Sequence, residues 1–216
     1  MASGFEIFGL ISAIITITDT TIEVYSAIKD LHELPEAFQQ VNYRLPLVKE
    51  ILEDVKKRAK NANSSEAKAL KGVLESCEKK AKELQNIFIG IAKESTGNKF
   101  IISVYRPLVL KLGKKARVED LMGGILNDLG LLAAHQVFQT AMQKQVKPLE
   151  KARQELANVP PSLPDSEFGE KPGAANQYGD GNRQNNVFGG TQNNIENHYF
   201  DAKGDQNFGT IPYSPF

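Results

Sequence analysis

The side chains that most often carry catalysis or bind metal ions are few in this sequence, and they are far apart. The three histidines are His32, His135 and His198, and none belongs to an HExxH motif or another metal-ligand spacing. Cys77 is the single cysteine, so neither an internal disulfide nor a CxxC metal site can form. We therefore predict that the protein is not an enzyme and has no catalytic, metal or cofactor site.

Phosphate-binding motifs are also missing from the sequence. No Gly-Lys-Ser or Gly-Lys-Thr occurs, which excludes the usual P-loop. Gly189-Gly190 lies in a polar repeat and does not open a helix, so it is a poor phosphate cradle. We expect neither a small-molecule substrate nor a nucleic-acid partner.

The chemistry that the sequence favours is hydrogen bonding between copies of its C-terminal tail. From Asn176 onward the chain is rich in Asn, Gln and Gly and contains three loose Gln-Asn repeats. Such a segment has no core of its own and is predicted to be disordered as a monomer, with a plain flexible tail as the alternative. Stacked strands, however, allow each side-chain amide to bond to its copy above and below. The predicted amyloid-motif residues are Gln184, Asn185, Asn186, Gln192, Asn193, Asn194, Gln206, Asn207 and Phe208.

A second unusual feature is the apolar segment from Gly4 to Leu31. No charge occurs from Ile7 to Thr18, and apolar side chains surround the helix axis almost completely there. This run has 12 residues, whereas a bilayer span takes roughly 20, so an ordinary transmembrane helix is not expected. Glu6 precedes the run without any Lys or Arg, which disfavours a secretory signal.

Two hypotheses remain for this segment. A buried helix of a soluble bundle is the reading that the short apolar run favours by itself. The other is a helix that can leave the bundle and enter a membrane. For that hypothesis the predicted membrane-insertion residues are Phe5, Ile7, Phe8, Leu10, Ile11, Ile14 and Ile15.

Apolar residues at helical spacing continue through the body of the chain. They recur after Pro35, after the capping pair Asn63 and Glu66, and in one long stripe from Val118 onward. Cys77 lies on such an apolar face and is predicted to be a core residue. The pattern predicts an all-α helical bundle with an apolar N-terminal helix, followed by the prion-like tail.

Two stretches of the body are less regular. The β-branched residues of Phe100–Tyr105 are typical of a strand, but no second strand is available as a partner, so we predict a helix. Pro148 is expected to bend or end the helical stripe that begins at Val118. Pro160-Pro161 is expected to end the domain.

Composition divides the chain into a helical domain over residues 1–158, a Pro-rich linker over 159–175 and an amyloid-forming motif over 176–216. Residues 1–158 hold 23 Lys and Arg against 19 Asp and Glu, and the remainder holds 3 against 7. A mildly basic body suits contact with anionic lipid headgroups, although so small an excess is also typical of an ordinary solvated surface. The lone cysteine fits a reducing compartment, and we expect the protein in the cytoplasm.

The order of the sequence blocks resembles a known domain type. The blocks are Gly4-Phe5-Glu6-Ile7-Phe8-Gly9-Leu10-Ile11-Ser12-Ala13-Ile14-Ile15, then Leu34-Pro35-Glu36-Ala37-Phe38 with Arg44-Leu45-Pro46-Leu47-Val48, then Glu75-Ser76-Cys77-Glu78-Lys79-Lys80-Ala81. Together they resemble the SesA-type, HeLo-like domain found at the N-terminus of fungal NLR-like NTPases. The tail over residues 176–212 is similar to the sigma-type amyloid signalling motif of such systems.

The resemblance implies a function that the residues alone do not. In such systems an NLR-like receptor carrying a matching motif forms an amyloid template, which converts the tail of a separate effector. The HeLo-like domains of related effectors are membrane-targeting executioners of regulated fungal cell death, in heterokaryon incompatibility and innate immunity. Nothing resembling an NTPase follows the helical domain here, so the chain looks like the effector.

The implied partners are the NLR-like NTPase receptor, other copies of the tail and, on activation, membrane lipids. The implied location is the cytoplasm, with relocation to the plasma membrane on activation. The alternative is a non-lytic adaptor whose helical body binds a partner and whose tail recruits it to a receptor assembly.

Overall fold

The helical periodicity of the sequence corresponds to seven α-helices in the part of the chain that the structure describes. This computed structural model describes residues 4–29, 34–60, 62–94, 101–168, 194–195 and 198–199. The helices are α1 (Gly4–Ile28), α2 (Glu36–Ala59), α3 (Ser64–Glu94), α4 (Ile101–Leu112), α5 (Val118–Ala134), α6 (Gln136–Met142) and α7 (Val146–Ala157). Short 3₁₀ turns occur at Lys114–Ala116 and Asp165–Glu167.

The helices bury their apolar stripes against one another. α1 packs chiefly against α3 and α2, while α5 packs against α3, α2 and α7. Aromatic rings join the first four helices: the Phe38 ring lies 5.0 Å from Tyr105 and 5.3 Å from Phe88, and Phe88 lies 6.0 Å from Tyr25. The predicted all-α bundle with an apolar N-terminal helix is therefore the observed fold.

Several local predictions are confirmed by the structure. The Asn63 side chain accepts hydrogen bonds from the backbone N–H groups of Ser65 and Glu66, and the Glu66 carboxylate accepts one from the Asn63 N–H. The stretch after Phe100 is helical, since α4 begins at Ile101. Cys77 is fully buried, and burial raises the pKa of its thiol to about 12, which makes it a core residue and a poor nucleophile.

Two predictions about the C-terminal part of the body are wrong. The long stripe from Val118 forms two helices, α5 and α6. His135 between them has an extended backbone, and its Nδ1 atom accepts a hydrogen bond from the Val137 N–H at 3.4 Å. This bond caps the start of α6. Pro148 does not bend or end a helix. It lies in the first turn of α7, where a proline is tolerated because that amide has no intrahelical acceptor.

The compact unit extends to Phe168, ten residues beyond the boundary at 158, and we call residues 159–168 the strap. Leu163 of the strap is 1% exposed. The Ser162 hydroxyl is hydrogen-bonded to the Tyr105 hydroxyl at 2.6 Å, and the Ser162 N–H donates to a Glu119 carboxylate oxygen at 2.9 Å. Residues 159–168 of the linker predicted from sequence are therefore part of the bundle, and residues 169–175 lie outside the described residues.

Arg117 is the main polar contact between the strap and α5. Its guanidinium donates to the Leu163 carbonyl at 3.0 Å, to Asp165 at 2.9 Å and to Asp120 at 2.7 Å, and lies 3.4 Å from the carboxylate of Glu119. Burial by itself lowers the pKa of Arg117, but the surrounding carboxylates raise it above its ordinary value. The arginine therefore stays charged in a largely buried setting.

We expect Arg117→Met to lower the free energy of unfolding by about 3 kcal/mol, because the buried Glu119 carboxylate would lose its cation. Denaturant unfolding followed by circular dichroism measures the loss. Lys114→Met is the matched control, since Lys114 pairs with Asp165 at the exposed edge of the same cluster, and we expect it to have little effect. Equal losses in the two variants would contradict a central role for Arg117.

In the second unit, Gly169–Phe216, the described residues form one short antiparallel pair. β1 (Asn194–Ile195) pairs with β2 (His198–Tyr199), with Asn194 opposite Tyr199 and Ile195 opposite His198. Of the predicted amyloid-motif residues, Asn194 lies in β1. Gln184, Asn185, Asn186, Gln192, Asn193, Gln206, Asn207 and Phe208 lie outside the described residues.

Candidate membrane-interaction site

The structure divides the seven predicted membrane-insertion residues into an inner and an outer group. Ile7, Ile11 and Ile14 are each 0% exposed and belong to the bundle core. Phe5 is 77% exposed at the start of α1. Phe8, Leu10 and Ile15 are half-buried at the flanks of the helix. The inner group can reach lipid only if α1 leaves the bundle.

The inner face of α1 is closely packed. Burying Ile7, Ile11 and Ile14 contributes roughly 1.5–3 kcal/mol for each side chain. Gly4 lies against the end of α2, where an added Cβ atom would come within 2.8 Å of the Lys60 carbonyl oxygen and 2.9 Å of the Ala59 carbonyl oxygen. Only glycine allows this close approach, so the first turn of α1 is fixed to the last turn of α2.

Two ion pairs hold the flanks of α1 to its neighbours. Glu6 accepts a hydrogen bond from Lys71 of α3 at 2.6 Å, and Asp19 lies 2.7 Å from Lys49 of α2. These carboxylates raise the pKa values of both lysines above the ordinary value. Both pairs are partly exposed to solvent, so they orient the helix more than they stabilise it.

The hydroxyl groups of α1 are hydrogen-bonded within the helix itself. Six side chains donate to the carbonyl oxygen four residues earlier, at 2.7–3.1 Å. They are Ser12, Thr16, Thr18, Thr20, Thr21 and Ser26. A hydroxyl that is satisfied in this way needs no water, so it carries a reduced penalty in an apolar environment. Apart from its charged residues Glu6, Asp19 and Glu23, α1 therefore has few polar groups that require solvent.

With 25 residues of mainly apolar character, α1 meets the length and hydropathy criterion for a membrane-spanning helix. Core helices of soluble proteins satisfy the same criterion. The uncharged run within it is still 12 residues long, and the ten residues of the helix beyond Thr18 include Asp19 and Glu23, so the expectation that α1 is not an ordinary transmembrane helix stays a prediction.

A groove between α1 and α2, which we call the α1–α2 groove, has a volume of about 420 Å³. Its lining residues are Phe8, Ile15, Glu53, Lys56, Lys57 and Lys60. The ammonium groups of Lys56 and Lys60 lie 4.8 Å and 4.5 Å from the centre of the Phe8 ring. Each contact of this kind contributes about 0.5–1 kcal/mol at an exposed site. The groove combines an apolar floor with cations at its edge.

Sequence reasoning missed this groove. The sequence by itself shows only that Lys56, Lys57 and Lys60 lie near the C-terminal, negative end of the α2 dipole, where cations are favourable. Their spacing of four residues places Lys56 and Lys60 on one side of α2, but only the packing of α1 against α2 shows that this side faces Phe8. The sequence feature that could have indicated the groove is the pair of lysines at helical spacing in α2, which follows the apolar helix α1.

Other polar clusters of the bundle act between helices. Lys80 of α3 donates to Asp128 of α5 at 2.6 Å, and Arg44 of α2 donates to the Ala152 carbonyl of α7 at 3.0 Å. Within the described residues, no group of three or more His, Cys, Asp or Glu side chains is arranged to hold a metal ion. These clusters explain how α2, α3, α5 and α7 are aligned beside α1.

Comparison with known proteins adds one finding. A family model, SesA, described as an N-terminal domain on NACHT NTPases and P-loop NTPases, matches residues 11–132. Searches of curated proteins and of solved structures each gave no match. The matched segment begins inside α1 and ends in α5, so it covers most of the helical bundle. Because it also covers more than half of the chain, the protein belongs to the SesA family of N-terminal domains.

Proposed function

We propose that the protein is an effector of NLR-linked regulated cell death. In this proposal an NLR-like NTPase converts the C-terminal motif to amyloid, and the helical bundle then targets the plasma membrane from the cytoplasm. Membership of a family of domains found on NACHT NTPases supports the link to such receptors. The amide-rich repeats support templating of the tail. The protein acts without catalysis.

The observation that carries the membrane step is the character of α1. The helix has no charge from Ile7 to Thr18, and its hydroxyls are bonded to its own backbone. Its inner apolar face is hidden in the bundle, where it is protected from non-specific association. A bilayer offers comparable apolar shelter to the same face, so the hydrophobic effect by itself does not strongly favour the bundle over the membrane.

Assembly of the tail shifts this balance. Many bundles attached to one fibril have a high local concentration at a membrane, so weak attraction of single helices becomes strong collective binding. Glu6 and Asp19, which lie at the two ends of the uncharged run of α1, would then lose their lysine partners and stay in the wet headgroup regions outside the apolar layer. Several helices together can disrupt a bilayer that one helix crosses only poorly.

A second function, a non-lytic adaptor, is favoured by the tight packing of α1. Ile7, Ile11 and Ile14 are completely buried, and Gly4 is in close contact with the α2 terminus. Such close packing is typical of a helix whose role is to form the core of the bundle. In this reading the bundle binds a partner protein without leaving its folded form, and the tail recruits it to a receptor assembly.

Dye release from liposomes distinguishes the two functions. We expect the full chain, when seeded with fibrils formed from residues 176–216, to release dye from anionic liposomes. The unseeded chain should release little under the same conditions, because α1 remains in the bundle. Bundle-only protein, residues 1–168, mixed with the same seeds controls for effects of the fibrils alone. Efficient fibril growth of the full chain without dye release would favour the adaptor.

A further inference from the structure

The α1–α2 groove has the chemistry of a lipid headgroup site. We propose that it binds the phosphate of an anionic phospholipid while α1 is still packed in the bundle, with the first part of an acyl chain on the apolar floor. This inference rests on the proposed membrane-targeting function and adds to it a ligand class and an order of events: recognition of the headgroup comes before release of the helix.

The charge of the groove favours an anion. Lys56, Lys57 and Lys60 line it together with a single carboxylate, Glu53. Lys57 is already bound to Asp54 at 2.7 Å. In the described part of the chain, Lys56 and Lys60 form no ion pair, and their ammonium groups rest on the Phe8 ring instead. A phosphate oxygen is a stronger partner for an ammonium group than a ring face is, because both partners carry full charge.

The floor of the groove favours a lipid over a free phosphate ion. Phe8 and Ile15 are half-buried and lie two helical turns apart, so these two apolar side chains of the floor span about 10 Å. Phe5, which is 77% exposed, lies about one turn before Phe8 and extends the apolar surface towards solvent. A free phosphate would leave this apolar surface in water, whereas the beginning of an acyl chain would cover it.

Headgroup binding would also loosen α1. The same two ammonium groups that would bind the phosphate now contact Phe8 and help to join α1 to α2. When they turn towards a phosphate, these contacts are lost, and the Phe8 ring is left facing the acyl region. The Asp19–Lys49 and Glu6–Lys71 ion pairs remain, so headgroup binding favours release without completing it.

Co-sedimentation of the freshly purified, unseeded full chain with vesicles tests the proposal. We expect binding to vesicles of phosphatidylcholine mixed with phosphatidylserine and little binding to phosphatidylcholine alone. Each lysine near an anionic surface contributes enough that Lys56→Gln/Lys60→Gln should weaken binding about thirtyfold. The control Lys68→Gln/Lys79→Gln removes the same charge from exposed positions of α3 and should weaken binding less than threefold. Circular dichroism verifies that both variants remain helical.

Three outcomes would overturn the proposal. Equal weakening by the two double variants would mean diffuse attraction by the basic body and no site. Absence of binding by the unseeded chain would mean that recognition does not precede activation. Glycerophosphoserine has the same headgroup without acyl chains. If it displaced the protein from the vesicles with an affinity equal to that for the vesicle lipid, the apolar floor would be unused. Dye release by the seeded wild-type chain is measured separately, so the proposed function can stand when this site fails.

Discussion

Thr16→Lys is expected to abolish dye release by the seeded protein while leaving the helical bundle folded. Thr16 is exposed on the outer face of α1, so a lysine there meets water in the folded state. It also lies inside the uncharged run, so the same lysine enters the apolar layer when α1 inserts. A lysine at the centre of a membrane helix is unfavourable by about 2.5–3.5 kcal/mol. Insertion should therefore weaken about a hundredfold.

The bundle itself offers a matched control for this substitution. Ser26 is also exposed on α1, and its hydroxyl also donates to the carbonyl four residues earlier, as the Thr16 hydroxyl does. It lies beyond Asp19 and Glu23, outside the uncharged run. We expect Ser26→Lys to keep most of the dye release. Denaturant unfolding should place both variants within about 0.5 kcal/mol of the wild type, as is usual for exposed positions.

This design avoids the ambiguity of a substitution in the inner face. Ile11 is 0% exposed, so a charge there would unfold the bundle before any membrane is met. Loss of dye release in such a variant would have two explanations. If folded Thr16→Lys protein permeabilises liposomes as well as the wild type does, α1 does not enter the hydrocarbon, and the adaptor becomes the better proposal.

The fold was largely predictable because its determinants are local in sequence. The capping pair of Asn63 and Glu66, the apolar stripes of α2 and α3, and the buried Cys77 each follow from residues within a few turns. The helix at Ile101–Leu112 followed from elimination, since a lone strand has no partner. These features require no knowledge of how the helices are arranged.

The features that were missed depend on contacts between distant segments. The strap was assigned to a linker because its prolines are typical of one, but Leu163 fills a site on the bundle, and Ser162 bonds to groups 43 and 57 residues away. The break at His135 was hidden because apolar periodicity continues across it. The division of the α1 residues into inner and outer groups likewise depends on where α2 and α3 lie.

The tail is expected to lose its ability to be templated when four amides are replaced by lysine. In stacked strands each residue lies about 4.8 Å from its copy, and adjacent like charges at that distance repel by about 1 kcal/mol in water. The variant is Gln184→Lys/Asn185→Lys/Gln192→Lys/Asn193→Lys, and four such repulsions per added chain should weaken growth several hundredfold. Thioflavin fluorescence after addition of wild-type seeds measures growth.

The control for this variant exchanges amides without adding charge. Gln184→Asn/Asn185→Gln/Gln192→Asn/Asn193→Gln keeps every ladder-forming group and should still grow on wild-type seeds, because amide bonds along the fibril are retained. Both variants leave Met1–Phe168 unchanged, so their bundles should unfold at the same denaturant concentration as the wild type. The lysine variant should also fail to release dye, since its bundles are never brought together at a membrane. Growth of the lysine variant at the wild-type rate would remove the amyloid step, and the activation of α1 would then need another cause.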